Sequence, residues 1–346
     1  MTDGAAPRFD LRWVLRGVLS LGLAGALLGF VLPRVTGTRW SEIADVVARL
    51  SATDVAVLAA VWAAGIWTYG FVITASMPGM RHAQAMTVNV TSSAVSNLVP
   101  FGGALGLATT FAMARSWGFT SGAVALSALV TGIWNVFAKL ALPMLGLLAL
   151  ALAPATSASW LVRPAAIGAV LLAVALTVLV GTLWSEDVAR ATGRVVEKVG
   201  QAALRLAGSS RVLTWDRAVP RWRQRVIGLV RGGWPTLSLG LVGFLGTQAV
   251  LLYLILTMLG SDLGPAQVFA GFAFGRLLTT IVVTPGGTGF TETGTAGLLV
   301  AFGGDPAVCT SAVLLFSGFV VFLEIPVGGL GYLVWLTRRS WRRPVP

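Results

Sequence analysis

Several stretches of this chain run for about 20 residues with few or no charged side chains, among them Trp13 to Leu32, Ala52 to Ile73 and Thr236 to Leu259. At 1.5 Å per residue, a helix of that length crosses a hydrocarbon core about 30 Å thick. The composition agrees: 56% of the 346 residues are hydrophobic and 11% are charged, against roughly one quarter charged in soluble domains. The chain is therefore expected to be an all-α polytopic membrane protein. The first apolar run is too long for the h-region of a cleavable signal peptide and lacks an A-x-A-like site. It is read as the first span.

Two of the apolar segments are interrupted in the same way. Thr284-Pro285-Gly286-Gly287-Thr288-Gly289-Phe290-Thr291-Glu292 has an earlier echo in Val99-Pro100-Phe101-Gly102-Gly103-Ala104-Leu105-Gly106. A shift of 184 residues lays Gly102-Gly103 on Gly286-Gly287 and Ser127-Ala128 on Ser311-Ala312, which indicates an internal duplication. Proline removes a backbone donor and paired glycines disfavour helix, so each copy is a break between a helical segment of about 17 residues and one of about 12. Two forms fit: a re-entrant helical hairpin, or two full crossings. The short second arm, reaching about 18 Å, favours re-entrance.

The expected organisation has three parts. Residues 1–184 hold the first half, with repeat 1 over 52–153 and a connecting span. Residues 185–233 form a basic segment with ten Arg or Lys against four Asp or Glu, whose Val195, Val199, Ala202 and Leu206, and then Val219, Trp222, Val226 and Leu229, have the spacing of amphipathic helices on the membrane surface. Residues 234–346 hold repeat 2 and a basic C-terminus. A further amphipathic stretch, Ile43, Val46, Val47 and Leu50, precedes the second span. Placing both termini and the basic segment in the cytoplasm leaves only Arg34, Arg39, Arg49 and Arg163 outside and Lys139 and Arg276 in the membrane. That satisfies the positive-inside rule. The protein is thus expected in the cytoplasmic membrane, with its two repeats in opposite orientation.

Inverted repeats with interrupted helices are a recurrent transporter plan, in which ligand sites lie at the breaks. The second arm of a broken helix begins with unpaired N–H groups that attract anions. Candidate ligand-contacting residues are therefore Asn97, Pro100, Gly102 and Gly103 at the first break, and Pro285, Gly286, Gly287, Thr288, Gly289 and Glu292 at the second, with Arg276 nine residues upstream. Ionisable residues at membrane depth cost several kcal/mol unless paired or hydrated. Four stand there: Lys139, Arg276, Glu292 and Glu324. Lys139 and Glu324 are one residue from repeat equivalence and are read as a gate or a structural ion pair between the halves. Arg276 either binds a phosphate or pairs with Glu292.

Other features exclude whole classes. A single cysteine, Cys309, and a single histidine, His82, rule out an intrachain disulfide and make a His/Cys metal site implausible. His82, beside Arg81, reads as a surface residue. The net charge of +12 sits beside apolar spans, so anionic lipid is the counter-charge and no nucleic acid is expected. There is no G-x-x-x-x-G-K-[ST] loop, hence no ATP site of that type. No cofactor is implied. Gly25-x-x-x-Gly29 and Gly271-x-x-x-Gly275 permit close helix packing within the monomer or between monomers, so a homo-oligomer stays open.

Pro285-Gly286-Gly287-Thr288-Gly289-Phe290-Thr291-Glu292 resembles the PGGxGxxE signature of the lysylphosphatidylglycerol synthase/flippase transmembrane family, the membrane part of the multiple peptide resistance factor and of many stand-alone proteins. Asn97-Leu98-Val99-Pro100-Phe101-Gly102-Gly103, followed by Gly118-Phe119-Thr120, is similar to the family's first-half pattern. The resemblance covers residues 10 to 340 and implies lipid translocation between leaflets, with aminoacylated phosphatidylglycerol the best understood cargo. It implies no synthase activity, because the soluble aminoacyl-transferase domain has no counterpart here; a lipid-making enzyme would be a separately encoded partner. Where many members carry an arginine soon after the first Gly-Gly, this chain has Leu107, Ala108 and Thr109. Where they carry Tyr-Arg in the last long helix, it has Phe316-Ser317. A different lipid, such as a polyprenyl-phosphate-linked one, fits these departures.

The resulting expectation is a non-enzymatic lipid flippase that moves a phospholipid or polyprenyl-phosphate-type headgroup through a central site at the two breaks. The alternatives are a secondary carrier of a small solute or, with less support, a membrane-embedded lipid-modifying enzyme.

Overall fold

The described residues of the computed structural model are 22–98, 102–153, 218–279, 284, 287–338 and 341, with scattered positions between 170 and 181. Among them the secondary structure is helical throughout. The first helix, α1 (Gly22–Thr36), contains a π turn at Leu27–Val31 and ends where Gly37 takes φ 71°, a left-handed C-terminal cap that glycine adopts without strain. Helix α2 (Trp40–Val47) is the amphipathic stretch read from the sequence; its Ile43 and Val46 are buried. They face a long C-terminal helix rather than a free surface, and Ser311 Oγ donates to the Ile43 carbonyl at 3.4 Å.

The first long helix, α3 (Ala52–Ser76), starts in a reciprocal cap in which Asp54 N donates to Ser51 Oγ at 3.2 Å and Ser51 N donates to Asp54 Oδ2 at 2.9 Å. This satisfies donors that the first helical turn leaves open. Two shorter helices follow, α4 (His82–Leu98) and α5 (Gly103–Ser116), then α6 (Ser121–Leu152), which absorbs Pro143. Helix α7 (Ala218–Met258) carries the span Gly232–Met258. It begins well inside the segment expected to lie on the membrane surface and passes through Pro235, so residue 233 falls within a continuous helix. The rest of that basic segment, the span expected over 164–184 and the start of the first apolar run lie outside the described residues, apart from the scattered positions. A second short pair, α8 (Pro265–Leu278) and α9 (Phe290–Ala301), precedes the last helix, α10 (Pro306–Thr337), which contains a π turn at Gly318–Phe322.

Four of these helices, α3, α6, the apolar part of α7, and α10, are long and apolar enough to cross a membrane. The chain is a multi-pass helical membrane protein. The arms α4, α5, α8 and α9 have 12 to 17 residues each, about 18 to 25 Å of helix.

Glycine sets how closely these helices approach, as expected where apolar surface alone gives no drive to associate in lipid. The largest contact joins α3 to α7. A Cβ on Gly240 would lie 3.0 Å from Val72 Cγ2 and 3.1 Å from the Thr68 carbonyl. Helix α4 packs against the end of α10, where Gly328 and Gly331 meet Val90, Ala94 and Thr91. Helix α8 packs against α6, with a Gly146 Cβ position only 3.1 Å from Ala270 Cα. The first arm of each short pair thus rests on the long helix that follows the other pair.

His82 is a correction to the sequence reading. Gly70 leaves room for the imidazole, which lies between Trp67 and Phe71 with ring centroids 4.4 and 4.5 Å away. Both ring nitrogens are buried and have no hydrogen-bond partner among the described residues.

Candidate functional site

The two short pairs point their breaks at one cavity of about 350 Å³, bounded also by α6, α7 and α10. Each pair is tightly closed. Gly106 in α5 lies directly against Ser96 of α4, and Gly275 in α8 lies directly against Thr295 of α9. That closeness brings the ends of the arms together and leaves the space between the pairs open.

All four ionisable residues that the sequence places at membrane depth, Lys139, Arg276, Glu292 and Glu324, line this cavity. They arrive from four different helices. Glu292 stands at the third position of α9, where the helix N-terminus favours a carboxylate. Its Oε2 accepts from Gly289 N at 2.6 Å and its Oε1 accepts from Ser317 Oγ at 2.6 Å, and the residue is only 2% exposed. Glu292 therefore ties the second break to α10. Glu324 Oε2 accepts from Asn97 Nδ2 at 3.3 Å, which ties the first break to the same helix.

The cations differ. Arg276 lies in the field of Glu324, yet among the described residues neither Arg276 nor Lys139 makes an ion pair within 4.0 Å. The Arg276 Nε is buried and has no acceptor. Lys139 and Glu324 share the cavity without touching, and Arg276 does not pair with Glu292. The hydroxyl of Thr284, 1% exposed and on the cavity wall, also lacks a partner. Both carboxylates thus accept from protein donors, whereas Arg276 Nε and the Thr284 hydroxyl have no acceptor among the described residues.

Of the remaining residues read from the sequence, Asn97, Gly102, Gly103 and Gly287 line the cavity. Gly287 takes φ 77°, a conformation that favours glycine. Gly289, with φ 93°, turns away: a Cβ there would lie 2.6 Å from Leu27 Cβ on α1. Thr288 is half-buried beside it. Pro100, Pro285 and Gly286 lie outside the described residues. Among the polar wall residues that the sequence reading did not assign to the site are Ser93, Gln248, Thr279, Thr284 and Ser317. For Gln248 a signal existed, since it is the one amide in an apolar span free of charge, and polar groups in such spans face protein or water.

Fold and cavity together define a polytopic helical membrane protein with a charged chamber at membrane depth, between two broken helix pairs. The chain belongs to the family described as the lysylphosphatidylglycerol synthase TM region, whose sequence model matches residues 14–328. No curated protein matches the chain. Where the family resemblance places a Tyr-Arg pair, Phe316 and Ser317 stand on the cavity wall, so that departure falls at the site itself.

Proposed function

We propose that this protein is a lipid flippase, moving a phospholipid or polyprenyl-phosphate-type headgroup between the leaflets of the cytoplasmic membrane. The observation that carries the reading is the convergence of four intramembrane ionisable residues on one chamber at the breaks of two helix pairs. Charged groups in spans are rare and mark substrate or ion pathways. Two donors without acceptors, Arg276 and Thr284, suit an anionic headgroup. The chamber has room for about a dozen waters, enough for a headgroup while acyl chains stay in the bilayer.

The reciprocal packing of α4 on α10 and of α8 on α6 supports an inverted duplication with re-entrant pairs, and the short arms support it too. In such a plan the two halves exchange conformations and expose the chamber to either side in turn. Membrane lipids are the partners, the termini are cytoplasmic, and no chemistry is performed on the cargo. A lipid-making enzyme would act beside it as a separate protein. A secondary carrier is the second reading, favoured by a chamber that would hold a small solute whole.

Reconstitution in liposomes tests this. Candidate anionic, aminoacylated and polyprenyl-phosphate lipids are included, and loss of protection from an impermeant headgroup reagent is followed. One lipid class is expected to cross faster, and Arg276→Ala and Gly287→Leu are expected to abolish the acceleration. Folded protein that accelerates no lipid, but binds or moves small anions, would replace the lipid reading with the carrier.

A further inference from the structure

The two breaks are related by sequence but not by surroundings. At the second, Gly287 and Gly289 are buried. Helix α1 lies across that break: Leu27 and the Ala24 carbonyl stand 2.6 and 3.4 Å from a Gly289 Cβ position, and Val35 Cγ1 stands 3.2 Å from that of Gly297. At the first break the equivalent positions under the 184-residue shift, Gly103 and Leu105, are exposed, with Leu105 at 43%. Among the described residues nothing lies within 4 Å of a Gly103 Cβ position. Helix α1 is outside the duplicated segment, so its cover has no counterpart at the first break among the described residues.

The exposed surface at the first break is apolar and continuous along the chain with the chamber wall. Leu98 follows the wall residue Asn97, Leu105 comes two residues after Gly103, and Phe322 follows Val321. A lipid with its headgroup in a chamber of about 350 Å³ must leave its acyl chains outside, on apolar surface that adjoins the wall. Resting on the lipid-transfer reading above, we propose that the first break is the lateral portal: the acyl chains of the cargo lie over Leu98, Leu105 and Phe322 while the headgroup reaches Arg276, and α1 seals the matching opening at the second break. The commitment to this side follows from α1, because the same passage at Gly289 is filled by Leu27. Passage on that side requires α1 to separate from α9.

The experiment uses the full-length protein in phosphatidylcholine vesicles containing phosphatidylglycerol with a mid-chain diazirine, photolysed and mapped by peptide mass spectrometry. Leu239, on the outer face of α7 and 72% exposed, serves as the ordinary lipid-facing control. Expected are a several-fold excess of adducts at Leu98 and Leu105 over Leu239, and loss of that excess in Arg276→Ala with Leu239 adducts unchanged. A cooperative thermal unfolding transition, measured in the same detergent as for the parent, shows that the variant is folded. Equal labelling at Leu105 and Leu239, an excess that ignores Arg276→Ala, or adducts concentrated at Leu27 and Gly289 would each overturn the portal. The leaflet assay on the same vesicles separates the two readings. Arg276-dependent adducts without transfer keep the portal as a lipid site and remove the flippase; transfer with adducts elsewhere removes the portal alone.

Discussion

Arg276→Met is the substitution with the most to say about the chamber. Arg276 stands in the last turn of α8, where the helix C-terminus favours a cation by about 0.3–1 kcal/mol, against an insertion cost of at most about 2.5–3.5 kcal/mol for an arginine at a helix centre. Arg276 recovers little of this by contact, having among the described residues no ion pair within 4.0 Å and no acceptor for its buried Nε; the field of Glu324 returns part of it. A net penalty of up to about 1–3 kcal/mol is then expected to remain. Methionine is long and flexible enough to fill the space. The variant is expected to be more stable than the parent by about that amount, and to have lost lipid transfer, the trade-off typical of a site held in a strained state for function. The checks are melting temperatures in one detergent at one scan rate, together with the leaflet assay. A variant that melts below the parent would make Arg276 a structural partner of Glu324, and retained transfer would remove it from the site. Either result refutes the argument.

Glu292 invites a paired substitution. Glu292→Ala strands the Gly289 N–H and the Ser317 hydroxyl and is expected to cost about 3–6 kcal/mol, as two bonds to a charged group, whereas Glu292→Gln keeps an acceptor for Gly289 and a partner for Ser317 and should cost about 1–2 kcal/mol; thermal unfolding of both variants checks the order. Gly289→Ala places a Cβ against the Leu27 Cβ and Cδ1 at φ 93° and is expected to destabilise by more than the roughly 1–2 kcal/mol of backbone strain alone, with partial rescue by Leu27→Gly, which removes both opposing atoms, read as coupling in a double-mutant cycle in the same unfolding assay. Asn97→Ala removes the donor to Glu324 and is expected to cost about 1.5–3 kcal/mol while slowing transfer. Replacing Gly328 with valine, against Val90 and Ala94, should separate α4 from α10, seen as a lowered melting temperature and loss of the excess photolabelling at Leu105.

Helix positions and the four charges on the chamber wall were legible because membrane depth turns composition into structure: an uncharged run must be a helix, and a charge inside one must face protein or water. The breaks were legible through proline and paired glycine. What the sequence did not carry was lateral placement. Lys139 and Glu324, nearly equivalent in the repeat, share a chamber without pairing, while Asn97 takes Glu324 and Ser317 takes Glu292. Helix rotation decides such partners, and small residues such as Gly146, Gly240 and Gly328 fix it through contacts far apart in sequence. The π turns at Leu27–Val31 and Gly318–Phe322 were also invisible, since an extra residue in one turn leaves the apolar run unchanged. Helix α7 also continues through Pro235, beyond the apolar run from which the span was read, because membrane helices tolerate proline when neighbours satisfy the freed backbone.

The reciprocal packing of the two halves has a consequence for biogenesis. Asn97 and its acceptor Glu324 are 227 residues apart, so at about 5–20 residues per second of synthesis the first pair waits roughly 10–45 s for its packing helix. During that interval Asn97 and its serine neighbours on α4 lack the surface formed by α10. Such a nascent chain is a natural client for membrane insertion machinery that shelters polar helices until their partners emerge. It also follows that two separately expressed halves should assemble when made together, each completing the helix pair that the other leaves open.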